Sequence, residues 1–181
     1  MAQKVILFGD SITQFWKNFD PDFFEQYNLI NCGVSGQTTS QMLARFENEV
    51  LNSKPDNVII LAGINDIAEN NGPISIEDIL KNIIIMATKA IQYDIEVVLC
   101  SVLPANRFYW NLNIHPENKI QALNQLLRDF ATSNAFKYVD YYSEMSDETH
   151  GLQKQFGSDG VHPNLMGYLK MKSILEPFLK S

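Results

Sequence analysis

The sequence predicts an α/β fold, a three-layer α/β/α sandwich built on a five-stranded parallel sheet. Short apolar runs alternate with longer helical patterns along all 181 residues, which is typical of repeated βαβ units. Most of the runs are continuously apolar, as expected for strands that helices cover on both faces. No linker, repeat or shift of composition interrupts the pattern, so we expect a single domain over residues 1–181.

Five strands and four helices are predicted in chain order. The strands are expected at 4–8, 27–31, 57–62, 96–101 and 136–139, and the helices at 39–52, 75–93, 116–134 and 164–179. The second helix has a capping-box start, Ser75 to Asp78, followed by apolar residues at helical spacing. Crossovers between parallel strands are nearly always right-handed, which favours a flavodoxin-like strand order.

Charge and composition limit the classes of partner. The chain has 14 Lys and Arg against 21 Asp and Glu, a formal net charge of −7. Because nucleic-acid binding depends on cationic side chains that neutralise phosphates, no nucleic-acid partner is expected. The longest apolar runs fall far short of the ~20 residues of a membrane span. The first residues lack the pattern of a secretory signal, which favours a cytoplasmic location, although a trimmed signal peptide would leave the same sequence.

The cysteines and two of the three histidines have simple structural explanations. Cys32 and Cys100 each close an apolar run, which favours buried thiols over a disulfide or a second nucleophile. His150 follows two acidic residues, as a metal ligand could, but no second His or Cys lies at ligand spacing. We therefore expect His115 and His150 in solvated loops, and no metal site.

The first two strands are followed by segments that can form part of a site. In open α/β sheets ligands bind beyond the carboxyl ends of the strands. Residues 9–12, Gly-Asp-Ser-Ile, predict a tight turn into a short helix that presents the Ser11 hydroxyl and amide, although Ser11 could be only a helix cap. Residues 31–38 contain Gly33, whose amide can approach a ligand closely. A phosphate cradle could look similar, but the Gly-Lys-Ser/Thr of a P-loop is absent.

The third and fifth strands lead to further polar motifs. Asn65, within residues 63–66, can donate to a developing oxyanion, although Asn and Asp in loops are commonly turn formers. Asp159 and His162 lie three residues apart, so the carboxylate can fix the proton on Nδ1 while Nε2 serves as a base. Each motif alone could be structural. Because four strands bring them to one rim, their joint occurrence indicates a nucleophilic site.

These motifs resemble those of the SGNH hydrolases, also called GDSL esterases and lipases. The likeness spans nearly the whole chain in the expected order, and the visible departure is Ile12 in place of the family's leucine. The resemblance implies a serine ester hydrolase that needs neither metal nor organic cofactor. It implies Ser11 as nucleophile, His162 as general base and acid, and Asp159 as the group that orients the imidazole.

The resemblance also implies an oxyanion hole. Its donors would be the Ser11 amide, the Gly33 amide and the Asn65 side chain. A tetrahedral intermediate requires such converging donors where negative charge develops.

The loop after the fourth strand is a candidate wall of the substrate pocket. Phe108, Tyr109 and Trp110 are consecutive and cannot all face one core, so at least one is expected at the pocket. Asp10, next to the candidate nucleophile, is a further candidate pocket residue. Arg107 could pair with an acidic substrate group, but we expect it to hold the loop.

The expected substrate is a small-molecule ester with a short acyl group, first of all an acetyl ester of a carbohydrate. The chain lacks a lid domain and a long apolar stretch that could shelter a fatty acyl chain. Lysophospholipase or acyl thioesterase activity on the same site stays open. The alternative from another class is a noncatalytic module that binds acylated glycans, although a binder has no need of a base aligned with a serine. The sequence leaves the oligomeric state open.

Overall fold

The structure, a computed structural model, describes residues 3–180. Its sheet consists of parallel strands β1 (Val5–Gly9), β2 (Leu29–Gly33), β3 (Asn57–Leu61), β4 (Glu96–Cys100) and β5 (Lys137–Val139). The strands lie in the order β2-β1-β3-β4-β5. This confirms the five-stranded parallel sheet and its flavodoxin-like order. The order reverses between β1 and β3, where ligands of such sheets bind.

Helices form the two outer layers. They are α1 (Ser11–Phe19), α2 (Pro21–Gln26), α3 (Thr39–Phe46), α4 (Ile64–Ile67), α5 (Ile76–Gln92), α6 (Glu117–Ser133), α7 (Tyr141–Met145) and α8 (Leu165–Leu179). Helices α1, α2, α7 and α8 form one group on the sheet, and α3, α5 and α6 form the other. The predicted three-layer sandwich is therefore confirmed. No helix within residues 3–180 combines the length and the apolar character that crossing a membrane requires.

The sheet is buried because its central strands are apolar at nearly every position. All five residues of β1 and all five of β3 are buried. On the α1 side, Trp16 is fully buried and stacks on Phe23 and Tyr168, with ring centroids 5.5 Å and 5.7 Å away. Burying rings of this size contributes roughly 1.5–3 kcal/mol each. The Tyr168 hydroxyl donates to the Ile12 carbonyl at 2.9 Å, which fastens α8 to α1.

Two of the three long helices, α5 and α8, begin at side-chain caps. The Ser75 hydroxyl accepts a hydrogen bond from the Asp78 amide at 3.1 Å, as its capping-box pattern predicts. The Asn164 side chain likewise accepts from the Gly167 amide at 3.0 Å at the start of α8. Gly167 is required there, because a Cβ would lie 2.2 Å from the Phe156 carbonyl oxygen. This close contact fixes where α8 leaves the preceding loop.

The structure differs from the predicted elements in a few places. Strand β2 begins at Leu29 rather than at 27, because Tyr27 ends α2 and Asn28 has φ +51°. The predicted helix 39–52 ends as an α-helix at Phe46 and continues as a π-helical turn, Glu47–Leu51. Helices α2, α4 and α7 were not predicted, since four to six residues are too few to show a helical period.

The register brings the functional segments to one edge. Gly9 at the end of β1 pairs with Gly33 of β2 and with Leu61 of β3. The segments that follow these three residues therefore emerge side by side.

Candidate active site

Ser11 lies at the sharp turn between β1 and α1. The Asp10 side chain caps α1 by accepting a hydrogen bond from the Ile12 amide at 3.0 Å. Gly9 lets α1 and β3 pass close to the end of β1, because a Cβ there would lie 2.1 Å from Thr13 Oγ1 and 2.8 Å from the Leu61 carbonyl oxygen. Ser11 is the first residue of the helix, so its N–H has no acceptor within the helix and is available to a ligand. The turn thus holds both the hydroxyl and the amide of Ser11 at the sheet edge.

The structure brings Ser11, His162 and Asp159 together. Ser11 Oγ lies 3.0 Å from His162 Nε2, and His162 Nδ1 lies 2.7 Å from Asp159 Oδ2. The other carboxylate oxygen of Asp159 accepts from the amides of Val161 and His162 at 2.9 and 2.7 Å. Asp159 is therefore held by its own loop while it orients the imidazole. This arrangement can remove the Ser11 proton and make Oγ a nucleophile.

The electrostatics of Asp159 suit this orienting role. Partial burial raises the pKa of the carboxyl, but hydrogen bonds from the His162 and Val161 amides and from the His162 ring outweigh it. The net effect holds the pKa of Asp159 below its ordinary value. The carboxylate therefore stays ionised at neutral pH and can stabilise a cationic imidazole.

Asn65 is held in one orientation. Its Oδ1 accepts from Asn70 Nδ2 at 2.7 Å, and its Nδ2 donates to the Gln37 carbonyl at 3.0 Å. A side-chain amide has two N–H donors, so one stays available on Nδ2. Asn65 lines a cavity of about 300 Å³ together with Ser11 and His162. That donor can serve a developing oxyanion there.

The structure corrects the assignment of Gly33. The Gly33 amide donates to Asn31 Oδ1 at 2.9 Å, so a side chain of the protein already occupies it. A Cβ at Gly33 would lie 2.2 Å from the Gln14 nitrogen, which shows that this glycine lets β2 approach α1. Gly36 instead lines the cavity beside Ser11, at φ +76°. The geometry therefore favours the Gly36 amide, three residues later in the same loop, as the backbone donor.

Asp66 fixes this loop relative to Asn65. Its buried carboxylate accepts from the Thr39 amide at 2.8 Å and from the Thr39 hydroxyl at 2.6 Å. Burial raises the pKa of Asp66, and these two hydrogen bonds oppose the rise. Because Thr39 begins α3, Asp66 anchors the end of the segment that carries Gly36.

Arg45 connects the ends of β1 and β2 with the loop that follows β2. Its guanidinium donates to the carbonyls of Gly9 and Cys32, at 2.9 and 3.0 Å, and to the Gln37 side chain. It also lies over the Phe8 ring, 4.1 Å from the centroid. The ends of β1 and β2 and the loop after β2 are therefore joined by one side chain.

The candidate pocket residues are placed in four different ways. Trp110 lines the cavity at Ser11. Phe108 is fully buried beneath it and stacks on Trp110 at 5.0 Å, so it is a core residue rather than a pocket wall. Tyr109 lines a separate, larger cavity. Asp10 is only 1% exposed and is occupied as the cap of α1, so its assignment to the pocket is wrong.

Four residues of the site were not predicted from the sequence: Phe15, Gly36, Arg45 and Asn70. The Phe15 ring lies 6.2 Å from the His162 ring, and its position on α1 one turn after Ser11 could have indicated this. The second glycine in residues 33–36 could have indicated Gly36. The contacts of Asn70 and Arg45 depend on tertiary packing, and neither residue has a local signal in the sequence.

The remaining candidate nucleophiles and ligands lie outside the site. Both cysteines are free thiols; Cys100 is buried as predicted, whereas Cys32 is only partly buried. Burial raises the pKa of Cys32, which makes its thiolate less accessible. Within residues 3–180, no group of three His, Cys, Asp or Glu side chains is placed to hold a metal ion.

Comparison with known proteins gives several matches along the chain. Residues 7–170 match the model of the GDSL-like Lipase/Acylhydrolase family. The crystal structure of a GDSL-like lipase from Bacteroides thetaiotaomicron superposes with a TM-score of 0.96 at 39% identity, covering 99% of this chain and 88% of that chain. A structure from Bacteroides fragilis has the same TM-score and identity, covering 98% of this chain and 86% of that chain.

A curated relative extends the comparison to a protein with a named activity. Esterase TesA of Pseudomonas aeruginosa is 26% identical over 193 residues, which covers 99% of this chain and 89% of that protein. The family match spans most of the chain, and residues 7–170 include Ser11, Asp159 and His162. The chain therefore belongs to the GDSL-like lipase and acylhydrolase family and is a carboxylic ester hydrolase.

Proposed function

We propose that the protein hydrolyses short-chain acyl esters, acetyl esters first of all, through an acyl-enzyme on Ser11. The observation that carries this proposal is the continuous hydrogen-bonded path from Ser11 Oγ to His162, at 3.0 Å, and on to Asp159, at 2.7 Å. A serine without such a base is a weak nucleophile at neutral pH.

The reaction follows from this geometry in two halves. Ser11 Oγ forms a bond to the acyl carbon while its proton passes to His162 Nε2. The resulting oxyanion accepts hydrogen bonds from the Ser11 amide, the Gly36 amide and Asn65 Nδ2. The carbon–oxygen bond to the alcohol then breaks, and the leaving oxygen takes the proton from His162. In the second half, a water molecule gives a proton to His162 and its oxygen forms a bond to the acyl carbon. The bond to Ser11 Oγ then breaks, Oγ takes the proton back from His162, and the carboxylic acid is released.

The cavity at Ser11 supports a short acyl group. Its volume of about 300 Å³ lies at the lower end of the range for ligand pockets. Ile64 and Val161 supply aliphatic walls, and Trp110 supplies an aromatic wall. An acetyl group fits between these walls.

A lipid ester is the second candidate, because apolar side chains are exposed near the histidine. Phe15 is 37% exposed beside His162. Further exposed apolar residues follow on α1 and α8: Phe19, Leu165, Met166 and Leu169. A long acyl chain could lie along this surface.

Replacement of Ser11 tests the proposal. We expect Ser11→Ala to fold like the wild type but to hydrolyse p-nitrophenyl acetate roughly 10⁴-fold more slowly or worse, because no acyl-enzyme can form. A fluorophosphonate should label the wild type and fail to label the variant. Ser173→Ala is the matched control, since Ser173 is exposed on α8 and donates only to the Lys170 carbonyl. Labelling of Ser11→Ala, or activity within tenfold of the wild type, would contradict a serine mechanism. Absence of labelling in the wild type would favour the noncatalytic glycan-binding module.

A further inference from the structure

We propose that a second cavity, beside the loop that carries Asp159, binds the carbohydrate part of the ester. The cavity has a volume of about 970 Å³ and lies between segments 106–109, 146–154 and 157–160. The inference rests on the proposed hydrolysis of esters at Ser11, and it adds the class of alcohol and the surface that recognises it.

The position of this cavity suits the alcohol side of the substrate. Ser158 and Gly160, the neighbours of Asp159, line the second cavity, whereas Val161 and His162 line the cavity at Ser11. On the facing loop, Tyr109 lines the second cavity and Trp110 lines the first. The two cavities therefore adjoin along the same two loops. Since the imidazole protonates the leaving oxygen, the alcohol departs on the histidine side.

Unpaired polar groups surround an exposed aromatic ring in the second cavity. Tyr109 is 59% exposed, and the Arg107 guanidinium lies 5.5 Å from its ring centroid. Arg107, Glu148 and Lys154 form no ion pair with any residue between 3 and 180. Their donors and acceptors are therefore available to a ligand.

The part of the lining formed by residues 147–151 is prearranged. Asp147 Oδ1 accepts from the Thr149 amide, the Thr149 hydroxyl and the Gly151 amide at 2.7–3.0 Å. Asn106 Nδ2 donates to the Thr149 hydroxyl at 2.7 Å and thereby joins the two loops. A Cβ at Gly151 would lie 2.7 Å from the Asn106 side chain, so the loops approach as closely as glycine allows. A wall that is already ordered lowers the entropic cost of binding.

The lining matches a sugar better than an acyl chain or a phosphate group. Within the described chain, Leu152 is the one aliphatic side chain in the lining, and the other side chains there carry hydroxyl, amide or charged groups that a fatty acyl chain would leave without partners. A phosphate favours converging cations, whereas Arg107 and Lys154 share the cavity with Glu148. A sugar ring presents C–H groups to an aromatic face and hydroxyls that both donate and accept. The volume, near the upper end for ligand pockets, allows more than one ring.

The test compares small and large acetyl esters in matched variants. The substrates are p-nitrophenyl acetate, an O-acetylated monosaccharide, and O-acetylated hexasaccharides of xylose, glucose and mannose. The variants are Tyr109→Ala and Arg107→Ala, with Leu112→Ala as the control, since Leu112 is exposed on the same loop and lines neither cavity. We expect the wild type to prefer at least one hexasaccharide to the monosaccharide. Both cavity variants should lose about tenfold in kcat/KM on that hexasaccharide, mainly through KM, and stay within about twofold on p-nitrophenyl acetate.

Two results would overturn the inference while leaving ester hydrolysis intact. One is that the wild type shows no higher kcat/KM on any of the three hexasaccharides than on the monosaccharide. The other concerns the two cavity variants: either they keep the wild-type kcat/KM on the hexasaccharide, or they lose as much kcat/KM on p-nitrophenyl acetate as on the hexasaccharide. Failure of the proposed function looks different: the wild type would not hydrolyse p-nitrophenyl acetate, or Ser11→Ala would retain that activity.

Discussion

At the scale of single residues, Asn65 offers the clearest separation of transition-state stabilisation from substrate binding. We expect Asn65→Ala to lower kcat roughly 10²–10³-fold with little change in KM, because an oxyanion donor acts mainly on the charge that develops during reaction. Asn70→Ala should cause a smaller loss of the same kind, since Asn70 fixes the amide of Asn65 from the wall of the same cavity. Steady-state kinetics with p-nitrophenyl acetate measures both. A change confined to KM would make Asn65 a substrate-binding residue instead.

Asp10 carries a pH dependence of stability. Burial raises the pKa of Asp10 to about 7, and the hydrogen bond from the Ile12 amide and the nearby His162 only partly oppose the rise. A raised pKa means that the folded state favours the protonated carboxyl. The corresponding stabilisation is complete below pH 3.8, the ordinary value, and is lost as the pH rises through about 7.

Asp10→Asn should remove this dependence. Asn keeps an oxygen for the Ile12 amide and is a favourable helix cap. The free energy of unfolding of the variant relative to the wild type should therefore increase by roughly 4 kcal/mol or less between pH 4 and pH 8. Urea unfolding of both proteins at several pH values measures it, because other titrating groups cancel in the difference. If the difference in the free energy of unfolding between variant and wild type is constant with pH, the Asp10 carboxyl has the same pKa in the folded and unfolded states.

At the scale of elements, Arg45 joins two strand ends and the loop that follows β2. Its side chain is 12% exposed, whereas that of Arg128, which pairs with Asp140 on the surface, is 48% exposed. Arg45→Ala would leave the Gly9 and Cys32 carbonyls without their charged donor. We expect the free energy of unfolding to fall by about 2–3 kcal/mol, against less than about 1 kcal/mol for Arg128→Ala. Denaturant unfolding compares the two, and equal losses would contradict the structural role of Arg45.

The elements that the sequence reveals are those whose pattern is long or continuous. Strands β1 and β3 are apolar at nearly every buried position, and α5 combines a cap with several turns of apolar periodicity, so all three could be predicted. Helix α2 was not predicted, because Pro21–Gln26 is too short to show an apolar period, although Asp20 caps it and Pro21 begins it. Trp16 stacking on Phe23 adds tertiary stabilisation that the sequence does not show.

The same division applies to the site. Ser11, Asn65, Asp159 and His162 were recognisable because each lies in a short motif after a strand. Gly33 was chosen over Gly36 because the sequence does not show which amide a neighbouring side chain already occupies. Phe108, Tyr109 and Trp110 are adjacent in sequence, and only the path of the loop decides that one is buried and two face different cavities.

At the scale of the whole molecule, the small cavity at Ser11 predicts a preference for short acyl chains. For p-nitrophenyl esters, kcat/KM should fall steeply from acetyl and butyryl to decanoyl. A deep acyl tunnel would instead contribute ~0.8 kcal/mol per buried methylene, and kcat/KM would climb with each added carbon pair. A decanoyl ester that is hydrolysed tenfold faster than the acetyl ester would favour a lipid substrate lying along the Phe15 and α8 surface.

The pairing of Ser11 with His162 spans 151 positions of the chain, and α8, which begins three residues after His162, packs against α1 through Tyr168. During synthesis on the ribosome, the serine emerges long before its base. We expect a nascent chain that has not yet made Leu165–Leu179 to hold an unactivated hydroxyl, and hydrolytic activity to appear only when this helix docks. Esterase activity is accordingly a sensitive reporter of whether α8 is in place. It should vanish when this helix detaches locally, before the sheet itself unfolds.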